Sequence, residues 1–344
     1  MRDKGIASPS PQEEELQFEA ALRPKRLDEF TGQPKLKENL SIAIEAALRR
    51  GEAMDHVLLY GPPGLGKTTL AHIIATELGV PIDLTSGPVL QKKLDLTGML
   101  SNVRQQQVFF VDEIHRLLPD VEEMFYSALE DFRVDIIVGQ GPGARTHSLP
   151  IPRFTAIGAT TRMGMISAPM RGRFGLLLRL SHYDVPQLRK IVERSSALLQ
   201  VTVDAEGADE IARRSRGTPR IANRLLRRVR DYAQVRAAGH VDLKVARTAL
   251  DLLEVDRFGL DETDRKIMMT ILQKYSGGPV GLNTIAASVD EEAETIEEVY
   301  EPYLMQLGFV DRTPRGRRAT DLAFQYFGVE RKRNGLDPQG MLFE

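Results

Sequence analysis

"HVLLYGPPGLGKTTLAHIIATEL", His56 to Leu78, decides the fold of this 344-residue chain. The apolar run Val57–Tyr60 predicts a buried strand. Behind the turn, Leu70, Ala71, Ile73, Ile74 and Leu78 fall on one side of a helix. Between the two, Gly61, Gly66, Lys67 and Thr68 fit the spacing G-x-x-x-x-G-K-[ST]. Glycines let backbone N–H groups curl around phosphates, and a helix N-terminus adds its positive end. The pattern assigns Lys67 to the β- and γ-phosphates of a nucleotide and the Thr68 hydroxyl to Mg²⁺.

Downstream, "VFFVDEIHRL" repeats the logic. Val108 to Val111 read as a buried parallel strand, and Asp112 and Glu113 stand at its C-terminal end, where open α/β sheets bind ligands. Asp112 suits a Mg²⁺ ligand acting through water, and Glu113 suits the base that orients and deprotonates an attacking water. A third strand, "FTAIGATT", ends in Thr160 and Thr161, polar enough to reach that water or the γ-phosphate. "VDIIVGQGPGARTHSLPI" reads as a hairpin inserted between these two strands, serving either core packing or docking of another protein.

Length and composition bound the rest. At 344 residues the chain calls for two or three domains. Its 42% hydrophobic and 27% charged content is that of a soluble globular protein. No apolar run approaches the roughly 20 residues of a membrane span. "MRDKGIASPSPQEEELQFEA" lacks an apolar signal-peptide core and reads as a polar, disordered leader. The absence of cysteine excludes disulfides and thiolate metal sites, and a reducing cytoplasm fits it.

From Asp184 onward the pattern turns helical. Residues 213 to 236 hold nine arginines, read mostly as a solvated helix face. Arg220 is set apart, because it opens a helix behind Gly217-Thr218-Pro219, where a phosphate is welcome. Asp256 to Leu260 reads as a link to a last domain of three short helices. "FVDRTPRGRRATDLAFQYFG" follows as strand, turn and strand, completing a winged-helix pattern. Its would-be groove helix region, Asp290 to Glu301, carries seven carboxylates and no Lys or Arg, a surface that repels DNA. Nucleic-acid contact therefore falls to the hairpin tip, with Arg312, Arg315, Arg317 and Arg318, through phosphates and without base readout. A protein-binding winged helix is the alternative.

In "SAPMRGRFGLLL", Arg171 and Arg173 flank a glycine with no carboxylate nearby in sequence. A wider resemblance supplies a negative charge for them to serve. "LRPKRLDEFTGQ", "GPPGLGKTTLA", "VDEIHRL", "GATTR", "MRGRFG", "GTPRIANRLLRRVRDYA" and "GLDETDRKI" occur in order over about residues 18 to 334. Together they resemble the AAA+ ATPases, and among them the motors that drive branch migration of Holliday junctions in recombination and repair.

The resemblance implies an α/β P-loop ATPase domain over 19–183, a parallel sheet with helices on both faces. A helical lid over 184–255 and a winged-helix domain over 256–334 follow, between the leader at 1–18 and a tail at 335–344. It implies a hexameric ring burning ATP with Mg²⁺ on double-stranded DNA, with a RuvA-like junction-binding partner and a RuvC-like resolvase. By position, Leu22 and Arg23 line the adenine side and Tyr183 approaches it from the domain junction. Gly64, Lys67, Thr68 and Thr69 hold phosphates and metal, with Asp112 and Glu113 as above. Thr161 becomes the first sensor and Arg220 the second. Glu130, Asp131 and Phe132 fall where the subunit interface nears the nucleotide. Arg173 becomes an arginine finger reaching a neighbour's ATP.

The chain departs from the family at His147, usually apolar, and Ser148, often basic, in the hairpin that docks the partner; Leu149 stays apolar. Phe30 replaces a commoner tyrosine. Two other AAA+ roles compete. Protein-remodelling rings carry an aromatic pore loop, where this chain has Lys92 and Lys93 in "PVLQKKLDLTGML". Clamp-loader-like subunits do not normally end in a winged helix. The DExH-box helicases suggested by "DEIH" need a second RecA-like domain, which a helical continuation does not supply.

Overall fold

The computed structural model describes residues 19–138 and 145–331. The leader, the hairpin turn at 139–143 and the tail at 335–344 lie outside the described residues. The chain forms two compact units that divide between Ala246 and Arg247.

In the first unit lie β1 (Val57–Tyr60), β2 (Ile82–Ser86), β3 (Val108–Asp112), β4 (Arg133–Val138), β5 (Arg145–Pro150), β6 (Thr155–Thr160) and β7 (Leu176–Arg179). Five of them make a parallel sheet ordered β2–β3–β6–β1–β7. The three central strands are the near-continuous apolar runs a doubly covered sheet requires, and the partly exposed β2 and β7 take the edges. Register pairs Leu59 with Ala159 and Phe110 with Ile157. Because β6 lies between β1 and β3, the glycine-rich turn and Asp112 flank the end of β6, where Thr160 stands.

The helices of this domain are α1 (Pro34–Arg50), α2 (Lys67–Leu78), α3 (Lys93–Leu100), α4 (Pro119–Glu130) and α5 (Ala168–Gly172). Leu70, Ala71, Ile73 and Ile74 of α2 are buried as the periodicity requires, whereas Leu78 is only half-buried. Leu96, Leu100, Val121, Phe125 and Met170 from the later helices join Leu58, Phe109, Val111 and Ala156 in one core cluster. The hairpin β4–β5 is antiparallel, with Val134 opposite Leu149 and Ile136 opposite His147. The core-packing reading holds for β4, where Val134 is buried and Ile136 packs on the core; His147 and Leu149 of β5 are exposed.

Beyond the sheet come α6 (Val185–Leu198), α7 (Ala205–Arg213) and α8 (Pro219–Arg236), with a short parallel pair, β8 (Thr202–Val203) and β9 (His240–Val241). The arginine run is not uniformly solvated. Arg214 and Arg216 are buried, and Arg214 pairs with buried Glu210 at 2.7 Å. Helix α9 (Leu243–Leu252) spans the division between the units.

The second unit holds α10 (Glu262–Met269), continued by a π-turn at Thr270–Lys274, and α11 (Leu282–Val289). The third helix runs as α12 (Ala293–Thr295), a π-turn at Ile296–Tyr300, and α13 (Glu301–Gln306). The hairpin is β10 (Val310–Thr313) with β11 (Gly316–Ala319). Two sequence readings need correction. "DLAFQYF" is not a strand but the helix α14 (Asp321–Phe327): the Thr320 hydroxyl accepts the Ala323 N–H at 3.3 Å, and Gly328 ends it in the left-handed region. Asp256 to Leu260 is not a free link. Asp256 accepts from Tyr326 Oη at 2.7 Å and from the N–H of Phe258 and of Leu260, and Phe258 packs on Tyr326 and Phe309.

Candidate nucleotide site

The turn from β1 into α2 is shaped by glycine. Gly64 has φ +74°, and a Cβ there would lie 2.7 Å from Thr218 Cγ2 and 3.1 Å from Arg220 Cβ, so only glycine lets the lid helix α8 approach. No side chain caps Gly66 at the start of α2, so the first-turn N–H groups belong to whatever the loop surrounds. Buried Lys67 turns Nζ onto the loop's own carbonyls, Gly61 O at 2.8 Å and Pro62 O at 2.9 Å, which holds its charge at the mouth of the turn.

Thr68 Oγ1 lies 3.4 Å from Asp112 Oδ2, and the Glu113 N–H donates to Asp112 Oδ1 at 2.9 Å. Burial pushes the Asp112 carboxyl above the usual carboxylate range; the Glu113 N–H, Lys67 and the Thr68 hydroxyl oppose that shift without cancelling it. A half-buried hydroxyl–carboxylate pair of hard oxygens beside a lysine is a donor set that suits Mg²⁺. Among the described residues no group of three or more His, Cys, Asp or Glu is arranged to hold a metal ion. Glu113 itself sits in the left-handed region, φ +46°, and pairs with Arg116 at 3.2 Å.

Around this centre the structure distributes the other predicted residues. Thr69 follows in the first turn of α2, half-buried. Thr161 lies just past β6, half-buried, whereas the Thr160 hydroxyl is bonded to His115 Nδ1 at 3.0 Å and accepts the Arg162 N–H at 2.9 Å. Leu22 is buried, and its carbonyl accepts from Arg194 of α6 at 2.8 Å. Half-buried Arg23 is close enough to His72 to lower that imidazole's affinity for a proton, though burial is the larger cause. Tyr183 is buried with its hydroxyl on Leu65 O at 3.2 Å; burial pushes its phenol well above the usual range. Arg220 opens α8 beside Gly64 and pairs with Glu19 at 2.8 Å. Sequence reading missed Glu19, Arg194 and His115, whose partners are set by the sheet order and the lid, and Arg116, which pairs locally with Glu113 at i,i+3.

Arg173 corrects one reading. Carboxylate-free in sequence, it pairs in space with Glu130 at 2.8 Å, at the C-terminal end of α4. Asp131 beside it pairs with Arg133 at 3.2 Å. Phe132 turns inward instead, packing edge-on against Phe154 and tilted against His56, so its ring belongs to the core. This group lies at the opposite end of the strands, ahead of β1 and β7: Arg173 precedes β7, Gly175 lies against Asp55, and Leu176 N–H donates to His56 O ahead of β1.

In the second unit the wing arginines divide. Arg317 Nη2 lies 3.0 Å and Arg312 Nε 2.9 Å from the Glu301 carboxylate, whose side chain is 3% exposed. Both arginines also approach Glu297, at 3.6 Å and 3.4 Å. Arg315 and Arg318 are exposed and pair with no carboxylate among the described residues.

Three family models match in sequence order. They are the Holliday junction DNA helicase RuvB P-loop domain at residues 22–180, the RuvB AAA lid domain at 183–256, and the RuvB C-terminal winged helix domain at 257–328. The chain is 73% identical over 345 residues, all of both chains, to the Holliday junction branch migration complex subunit RuvB of Solibacter usitatus. It is 55% identical to the same-named subunit of Dehalococcoides mccartyi, covering 96% of this chain and 95% of that one. The solved Holliday junction branch migration motor RuvB of Thermotoga maritima superimposes with a TM-score of 0.82 at 51% identity, over 90% of this chain and 99% of that one.

Proposed function

The chain belongs to the RuvB family, and from that membership we propose that it hydrolyses ATP to move duplex DNA through Holliday-junction branch migration. The glycine-rich turn and Lys67 take the phosphates, and Leu22, Arg23 and Tyr183 form the adenine side. Thr68 and Asp112 hold Mg²⁺, which supplies neutralisation of developing phosphate charge when bound. Glu113, which pairs with Arg116 at 3.2 Å, takes a proton from the attacking water. Thr161 and Arg220 read the γ-phosphate from the sheet and from the lid.

One observation carries the next step. Arg173 and its own chain's Lys67 lie off opposite ends of the sheet, with the length of β1 between them, roughly 13 Å at about 3.3 Å per residue. A guanidinium so placed serves a pocket on another chain, with Glu130 and Asp131 on the same surface. A head-to-tail interface that repeats this relation closes a ring, here a hexamer. Exposed Leu149 and His147 dock a RuvA-like junction-binding partner, and a RuvC-like resolvase joins the assembly. DNA phosphates meet the wing at Arg315, with Arg312 beside it and Arg317 bound more deeply by Glu301. No helix of the described residues is long and apolar enough to cross a membrane, and the work belongs in the cytoplasm. Domain limits at 183 and 255 accompany this reading.

The test mixes two dead chains. An Arg173→Ala subunit keeps its pocket and loses its finger; a Lys67→Ala subunit does the reverse. Each alone is nearly inactive, since an arginine finger contributes roughly 10³- to 10⁵-fold in rate. Assembled together, they form pockets with an intact Lys67 from one chain and an intact Arg173 from the next, and phosphate release returns. A flat titration in rings shown to be mixed refutes action in trans.

A further inference from the structure

Helix α4 bears Glu122, Tyr126 and Glu130 four residues apart, so the three side chains share one face. Along that face lies the short segment that ends in Arg173. At its start, Ser167 caps α5, its hydroxyl accepting the Met170 N–H at 3.2 Å. The same hydroxyl is hydrogen-bonded to Glu122 and lies 2.9 Å from Tyr126 Oη, which is also bonded to Glu122. At the other end, Arg173 Cζ stands 4.5 Å over the Tyr126 ring, Nη1 donates to Pro169 O at 2.8 Å, and Nη2 meets Glu130. Arg173 is thus held from three sides: a backbone carbonyl, an exposed carboxylate and an aromatic face.

These three supports are not equivalent. When the guanidinium reaches a phosphate on a neighbour, the Glu130 contact must give way, because both compete for the same N–H donors. The ring contact uses the π-face of the guanidinium and leaves those donors free. The ring is itself fixed through its hydroxyl to Glu122 and Ser167. We propose that Tyr126 is a positioning residue for the Arg173 finger: its ring is the platform on which the guanidinium is carried to the neighbouring pocket, with the Glu122–Ser167 pair fixing the ring. The inference rests on the in-trans reading of Arg173.

Mixed rings test it. The finger-donating chain carries Lys67→Ala, and the pocket-donating chain carries Arg173→Ala. Tyr126→Leu is added to one or the other. Added to the finger-donating chain, it lowers kcat of the mixed ring about two- to thirtyfold, the range of a cation–π contact, with KM for ATP unchanged. Added to the pocket-donating chain, it changes neither, because no finger there remains to position. Tyr126→Phe in the finger-donating chain keeps the ring but loses its hydroxyl tether, and recovers part of the rate, between the Leu variant and the parent mixture. Loss of equal size from either chain means a structural role and overturns the proposal, as does no loss from either, or a Phe variant as poor as Leu. If the parent mixture recovers no activity, the in-trans reading falls and this inference falls with it. Equal thermal unfolding of the Leu and Phe chains keeps a folding defect out of the comparison.

Discussion

Arg317→Ala separates two roles that an arginine on a wing can play. Glu301 is 3% exposed at its side chain and Arg317 is 15% exposed, so this ion pair is shielded from water. Arg317 supplies three of the contacts to the Glu301 carboxylate, at 3.0, 3.2 and 3.2 Å, and Arg312 supplies one at 2.9 Å. Removing one partner of a buried pair costs about 3–5 kcal/mol when the remaining charge is left alone. Here Arg312 stays, which brings the expected cost below that range, to about 2–3 kcal/mol. For a domain of this size, about 4–8 °C is lost per kcal/mol, so the winged-helix transition falls by roughly 10–20 °C. Arg315 sits in the exposed turn, and Arg315→Ala stays within about 0.5 kcal/mol of the parent. Its effect is on DNA: the slope of log K against log salt falls by about 0.9, one phosphate contact. Calorimetry and duplex binding across a salt series read both quantities on the same proteins. An Arg317→Ala chain that melts like the parent but loses about 0.9 of salt slope would falsify the assignment, because Arg317 would then spend its charge on DNA and not on Glu301.

Other expectations concern the motor itself. Lys67→Ala abolishes hydrolysis by removing both a positive charge and a phosphate contact, whereas Glu113→Gln binds ATP and hydrolyses it poorly, since Thr68 and Asp112 remain and the base is gone. Nucleotide titration of both variants checks this; equal loss of binding contradicts the division of labour. Leu149→Glu places a charge on the exposed strand of the hairpin, and is expected to blunt stimulation by a RuvA-like partner while intrinsic ATPase stays intact. Equal loss of both activities would mean that this strand is core.

The sequence made the nucleotide centre legible because its chemistry is local. Gly61 to Thr68 is one contiguous turn, and Asp112 and Glu113 end a strand whose four apolar residues announce it. Sheet order was less accessible: that β6 separates β1 from β3, and so brings Thr160 between Lys67 and Asp112, follows from strand pairing rather than from any segment alone. The charge partners were illegible for the same reason. Glu130 lies 43 positions before Arg173, which the numbering shows directly, and no spacing rule links them. The misread "DLAFQYF" has the aromatic content of a strand, and only Thr320 in front and Gly328 behind mark it as a helix. The arginine run misled through composition, since Arg214 is buried by its i,i+4 partner Glu210 on a face that counting charges does not reveal.

Three arginines that the sequence reading gives to phosphates share a device that ranks them by how readily they can be released. Arg173, Arg220 and Arg317 each hold a carboxylate of the same chain: Glu130, Glu19 and Glu301. An arginine that must meet a phosphate has to leave its carboxylate, and the cost is set by what surrounds the carboxylate left behind. Glu130 is 64% exposed, so water replaces Arg173 there, and an exposed pair is worth only about 0–1 kcal/mol. A charge-assisted bond to a phosphate exceeds that, so Arg173 in its proposed role would exchange freely. Glu19 is 15% exposed, and Arg220 leaves it at greater cost, as suits a sensor that moves only when a γ-phosphate draws it. Glu301 is nearly enclosed, and losing Arg317 would strand a charge in a dry setting. The order Arg173, Arg220, Arg317 is therefore the order of ease of exchange, from the proposed finger through the proposed sensor to the enclosed Glu301 pair.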